Sequence, residues 1–242
     1  MLFHIITIFP DIFNSYFSES IIKRAQEKNA IQIKIHNLRH WTNDKHKTVD
    51  DTPYGGGAGM IMKIGPIYKA IQSIINYQLS IINANKKNKT KQVKLSTNFL
   101  TRKLLPKKST KIILLSAKGK VWDQQMAQKY SKFDQIILIC GRYEGVDERV
   151  NKFVDEKISI GNYVLTGGEI PAMAIIDSIT RLLPNVLGNS LSIKNESHNT
   201  PGFLEYPQYT RPEIFIANKK KYITPKILLS GNHQKIKEWK EK

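Results

Sequence analysis

Between Asp51 and Asp123 this 242-residue chain contains no aspartate or glutamate at all. It also lacks cysteine pairs. A single Cys140 excludes an internal disulfide and fits a reducing, cytoplasmic setting. No cluster of cysteine and histidine has the spacing of a zinc site. No apolar run approaches the ~18–20 residues of a membrane span, so no membrane partner is expected. The opening "MLFHIITIFPDIF" has no basic segment before its apolar run and reads as a first strand and turn, not a signal peptide. The glycine-rich stretches match neither G-x-G-x-x-G after a strand nor G-x-x-x-x-G-K-[ST], which removes the two standard phosphate-cradling fingerprints.

What the chain does have is positive charge. Its formal net charge is +18, and 14 lysines and arginines fall in the stretch without acids, from Lys63 to Lys120. Such an excess points to a polyanionic partner, nucleic acid first. A composition rich in Lys, Asn and Ile, with 31 Lys against 7 Arg, offers genome bias as the competing explanation. Hydrophobic residues make up 40% of the chain, enough for one sizeable core, or one domain and a small appendage.

Apolar patterning predicts strands over 2–9 and 31–38 around a helix over 11–29, an order that favours a parallel sheet. A helix is expected over 65–79, then a basic, low-complexity insertion over about 83–111. Regular structure resumes with a strand at 111–116, a helix at 123–132, a strand at 135–140, a short helix near 146–152 and a helix over 169–183. On that last helix Asp177 and Arg181 are four apart and share a face. The remainder reads as loop-rich with a terminal helix near "HQKIKEWK". The fold class is α/β.

Three stretches place glycine beside ligand-type groups: "DDTPYGGGAGM", "GRYEGVDERV" and "SIGNYVLTGGEIP". A fourth, "LLSAKGK", follows the strand before them. Loops at the carboxyl ends of parallel strands are where open α/β sheets bind ligands. Here they offer backbone N–H and C=O groups, with apolar walls from Leu115, Val164, Leu165 and Pro171. That combination suits a flat heteroaromatic ligand gripped by main chain.

The motifs "HKTVDDTPYGGGAGMIMK", "CGRYEGVDERV", "SIGNYVLTGGEIPAMAIIDS", "YTRPE" and "LLSGNH" closely resemble the bacterial tRNA (guanine-N1)-methyltransferases of the SPOUT superfamily. The resemblance covers nearly the whole chain apart from roughly 79–110. It implies a parallel sheet with helices on both faces and a C-terminal trefoil knot, which no periodicity suggests. It implies domains at 1–187 and 204–242, the second a shortened, mostly helical tRNA-binding domain, joined by a linker at 188–203. It further implies a homodimer with sites at the subunit interface, tRNA as substrate, S-adenosylmethionine as methyl donor and a weakly held magnesium ion. The family methylates the guanosine immediately 3′ of the anticodon, position 37, where a guanosine precedes it.

By the same resemblance the donor is held by Leu115, Ser116 and Gly119, by Gly141, Tyr143, Glu144 and Gly145, and by Ser159, Ile160, Gly161, Tyr163, Val164, Leu165, Gly167, Gly168 and Pro171. Glu144 faces the donor's cationic end; its structural alternative is an ion pair with Arg142 or Arg149. His46, Asp50 and Gly59 match positions associated with tRNA or site organisation. Guanine N1 carries a proton at neutral pH, so transfer needs a general base and a group to meet the negative charge developing on O6. Arg181 matches the family's arginine, and a pair with Asp177 is its architectural alternative. Glu196 stands where the family has aspartate, adding one methylene, and His198 is a second candidate base. Ala58 replaces a frequent proline. Two other readings use the same residues: an RNA-binding SPOUT protein with a decayed site, and a related ribose 2′-O-methyltransferase.

Overall fold

The computed structural model describes residues 1–85, 110–188, 196–200 and 202–241, the side chains of 79 and 81–85 excepted. The chain divides into two compact units, Met1–Ser190 and Leu191–Lys242.

The first unit is built on five parallel strands: β1 (Leu2–Thr7), β2 (Gln32–Asn37), β5 (Thr110–Val121), β6 (Gln135–Cys140) and β7 (Glu156–Ser159), in the order β2-β1-β6-β5-β7. Central β6, "QIILIC", is buried at every position, as a strand covered on both faces must be. Side chains alternate across the sheet and so feed two cores. Phe3, Ile5, Ile113, Leu115, Ile136, Leu138 and Cys140 pack on one face with α4 (Gln124–Tyr130) and α5 (Glu169–Thr180). Ile6, Ile112, Leu114, Ile137 and Ile139 pack on the other beneath α3 (Ile64–Asn85), through Ile67, Ile71, Ile74 and Ile75. Each such isoleucine or leucine contributes about 1.5–3 kcal/mol by leaving water.

The segment expected as one helix over 11–29 is broken. A 3₁₀ turn (Pro10–Phe13) leads into α1 (Asn14–Phe17), and α2 (Ser20–Glu27) starts afresh. Ser20 sits at φ 50°, and the Phe17 carbonyl released by the break accepts from Gln26 Nε2 at 2.8 Å. The helix expected over 65–79 runs longer, to Asn85, so the insertion begins later than its composition suggested. Residues 86–109, most of that insertion, and 189–195 of the expected linker lie outside the described residues. A short ladder joins β3 (Asp50–Asp51) to β4 (Ile61–Met62) across the glycine-rich loop.

The second unit carries an antiparallel hairpin absent from the sequence reading, β8 (Ile214–Ala217) with β9 (Lys220–Ile223). Asn218 and Lys219 both take positive φ, the turn chemistry that closes two-residue hairpins. Helices α6 (Lys226–Leu229) and α7 (His233–Lys240) follow, α7 capped by the Asn232 side chain accepting from Lys235 N at 3.0 Å.

One irregularity prepares the site. Both Leu115 and Lys120 of β5 register with Ile158 of β7, so residues 116–119 loop out of the ladder. Gly119 brings the chain back so close that a Cβ there would lie 2.5 Å from the backbone of Ile158. Gly119→Ala should therefore lower unfolding free energy by about 1–3 kcal/mol, as overpacking does. Urea denaturation followed by circular dichroism would show an earlier midpoint; an unchanged one would contradict this close passage.

Candidate active site

Three stretches converge at one end of the sheet: the out-looped 116–119 of β5 and the loops 141–145 and 160–168 after β6 and β7. Between them lies a cleft of about 210 Å³. The structure brings Leu115, Ser116, Gly141, Tyr143, Glu144, Gly145, Ser159, Ile160, Tyr163, Val164, Leu165, Gly167, Gly168 and Pro171 to its wall. Gly119 and Gly161 do not line it; they shape the loops that do. A Cβ on Gly161 would strike the Tyr163 ring, and one on Gly168 would lie 2.6 Å from Cys140 Cα, where α5 starts against the end of β6. Sequence reasoning missed Lys118, Arg142, Glu148, Lys157 and Thr166, which also face the cleft. Lys118, Arg142, Glu148 and Thr166 lie within the glycine-bearing stretches quoted above, and Lys157 alone lies outside them.

The loops are joined by one buried carboxylate. Glu169, in the first turn of α5 and 2% exposed, accepts from the Thr7 hydroxyl at 2.8 Å and from Arg142 Nε at 3.0 Å. Its place at a helix N-terminus favours the negative charge further. Arg142 also donates through Nη1 to the Thr166 carbonyl at 3.3 Å and stacks its guanidinium over Phe9, 4.7 Å from the ring centroid. Gly168 N donates to Gly141 O at 2.9 Å. Thus the end of β1, the loop after β6 and the loop before α5 are fixed to one another.

Arg142 is therefore spent on Glu169, and Arg149 on Asp147 at 2.6 Å, a bond that holds the Asp147 carboxyl below its usual range. Neither pairs with Glu144, whose carboxylate stands exposed on the cleft wall. The Cys140 thiol, fully buried at the end of β6, is pushed well up by that burial and stays protonated. The glycine-rich loop docks beside Glu144: Glu144 N donates to Met60 O at 3.1 Å, and Met62 N to Gly145 O at 3.0 Å. Gly59 takes φ +84°, and a Cβ there would lie 2.4 Å from Glu144 Cγ. Asp50 is paired with Met62 in the short ladder, and His46 is exposed.

Arg181 does not reach this cleft. It caps the C-terminus of α5, while Gly168 and Pro171 mark the other end, and twelve helical residues span about 18 Å. Asp177, the alternative partner for Arg181, accepts from the Tyr16 hydroxyl, a bond that pushes Tyr16 up to about 12. Glu196 belongs to the second unit. Among the described residues no group of three or more histidine, cysteine or carboxylate side chains could hold a metal ion. Glu148, the cleft's second carboxylate, is engaged by Lys157 at 3.2 Å. Among the described residues the side chains at the cleft do not make a magnesium cage.

Chemically, the arrangement can hold a flat ring between backbone amides and apolar walls, with one carboxylate unpaired among the described residues for a cationic group. Comparison with known proteins bears on the family. The family model described as "tRNA (Guanine-1)-methyltransferase TrmD" matches residues 1–105 and 97–242. A tRNA (guanine-N(1)-)-methyltransferase of Dictyoglomus turgidum is 48% identical over 98% of this chain and 82% of its own length. One from Clostridioides difficile is 47% identical over 99% and 90%. The crystal structure of tRNA (m1G37) methyltransferase from Aquifex aeolicus is similar with a TM-score of 0.71 and 34% identity, covering 99% of this chain and 87% of that one.

Removing the buried carboxylate that ties the loops takes the ion-pair partner from the half-buried Arg142 guanidinium. Glu169→Ala should cost about 3–5 kcal/mol, and Thr7→Val only about 1 kcal/mol, since the ion pair survives it. Chemical denaturation of the two variants beside the native protein measures both, and equal losses would contradict the assigned hierarchy.

Proposed function

The chain belongs to the tRNA (guanine-1)-methyltransferase family, and we propose that it transfers a methyl group from S-adenosylmethionine to N1 of guanosine 37 in tRNAs with a preceding guanosine. The observation that carries this reading is the cleft itself: three loops presenting main chain and apolar walls, with Glu144 a carboxylate unpaired among the described residues. When bound, the donor supplies an electrophilic methyl group on a sulfonium, so the protein's task is placement. Backbone groups of 141–145 and 160–168 hold the adenine edge. Leu115, Val164, Leu165 and Pro171 wall it, and Glu144 faces the cationic end.

The remaining work is proton removal and charge stabilisation at the base. Glu196 takes the N1 proton; its extra methylene relative to the family's aspartate is absorbed by the linker. Arg181 meets the charge developing on O6 as a charged donor. Because α5 carries Arg181 ten residues beyond Pro171 of the cleft wall, about 15 Å along the helix axis, Arg181 serves the cleft of a second copy. That is what a homodimer with shared sites requires. The exposed side chains of Phe9, Ile12, Tyr16 and Ile170, on the turn after β1 and on α5, supply apolar surface for such an interface. The protein then acts in the cytoplasm, the first unit carries the family's knot, and the basic second unit contacts tRNA. The target guanine is unstacked to expose N1.

Labelled donor and an unmodified tRNA transcript carrying GG at the anticodon's 3′ edge test this directly. The native protein should form 1-methylguanosine, and Glu196→Gln should turn over at least about 100-fold more slowly. Equal rates would remove Glu196 from the mechanism. Donor binding with no turnover by the native protein would instead favour an RNA-binding protein with a decayed site. Arg181→Ala mixed with a cleft-defective Gly168→Val chain should recover about a quarter of native activity, since about half the dimers are mixed and each holds one intact site. No recovery would contradict the shared site.

A further inference from the structure

Five charged side chains face the cleft: Lys118, Arg142, Glu144, Glu148 and Lys157. Arg142 is paired with Glu169, and Lys157 with Glu148. Among the described residues, that leaves one cation and one carboxylate on the wall without an opposite charge, Lys118 and Glu144. Lys118 is exposed, yet its backbone is fixed. The loop 116–119 leaves β5 opposite Ile158 and returns opposite Ile158. Gly119 lies too close to that strand for any side chain, and Lys118 N donates to Ser116 Oγ at 3.3 Å. A flexible ammonium on an anchored stem is thereby set at the lip of the cleft.

Two unpaired charges of opposite sign are what a zwitterionic amino-acid portion requires. We infer that Lys118 binds the α-carboxylate of the methyl donor's methionine portion, opposite Glu144, which faces the cationic groups. The assignment rests on the donor reading given above. It makes Lys118 a positioning residue: the carboxylate is held at one end so that the methyl-bearing sulfonium stands at the other. The pair is half-open to solvent, so its effect lies between an exposed ion pair and a charge-assisted hydrogen bond, about 5- to 20-fold in affinity.

The test uses the full-length protein and two probes, S-adenosylmethionine and its decarboxylated form, titrated calorimetrically into native protein and Lys118→Met. S-adenosylmethionine should bind the variant about 5- to 20-fold more weakly, while the decarboxylated form binds both proteins equally. Lys118→Arg should restore most of the loss, and Lys120→Met should lose nothing. At saturating donor, Lys118→Met should keep the native KM for tRNA. Equal affinity of native protein and Lys118→Met for S-adenosylmethionine would overturn the assignment. If that equality came with a raised, salt-sensitive KM for tRNA, the lysine would be meeting an RNA phosphate. Native protein that binds neither probe would overturn the donor reading itself.

Discussion

A carboxylate that is 2% exposed must be paired, and in this protein that requirement organises the site. Glu169 sits 162 residues from Thr7 and 27 from Arg142, yet it is bonded to both. Meeting its charge pins the first strand, the loop after β6 and the start of α5 to a single point. Much of what lines the cleft lies on the loop after β6, on the segment leading into α5 and on the out-looped stretch of β5, with β7 completing the wall. The arginine of "GRYEG" is therefore structural, and it is its neighbour Glu144 that remains available to a ligand. The acidic and basic residues crowded after β6 divide in the same way: Asp147 holds Arg149, Glu148 holds Lys157, and one carboxylate is left over.

The sheet was largely legible because its strands are unbroken apolar runs; "QIILIC" falls on β6 residue for residue. The loops that gather at the cleft were legible too, since glycine next to an apolar run marks a strand's carboxyl end. Other features were not. The break at Ser18–Ser20 depends on a side chain reaching back to a carbonyl, which apolar periodicity cannot register. The hairpin of the second unit was hidden in a lysine-rich segment, although "IFIANKKKYI" does alternate around a turn-forming Asn-Lys. The Thr7–Glu169–Arg142 contact was out of reach, because nothing in local spacing joins residues so far apart.

In the proposed reading the single chain accounts for half of the chemistry: it presents a cleft suited to holding a methyl donor, and it carries Arg181, proposed to meet the base's O6, at the opposite end of a twelve-residue helix. A rigid helix cannot bend to bring its two ends together, so the same geometry that builds the donor site directs Arg181 elsewhere. In the proposed reading, sharing sites between copies resolves the conflict, and catalysis and assembly then depend on the same helix.

Hydrogen–deuterium exchange of the full-length protein, with and without S-adenosylmethionine, tests most directly whether these loops hold the donor through their main chain. Protection on adding donor should concentrate in 116–119, 141–145 and 160–168 and leave the amino-terminal edge of the sheet unchanged. Protection that bypassed these loops, or none at all under saturating donor, would contradict the account.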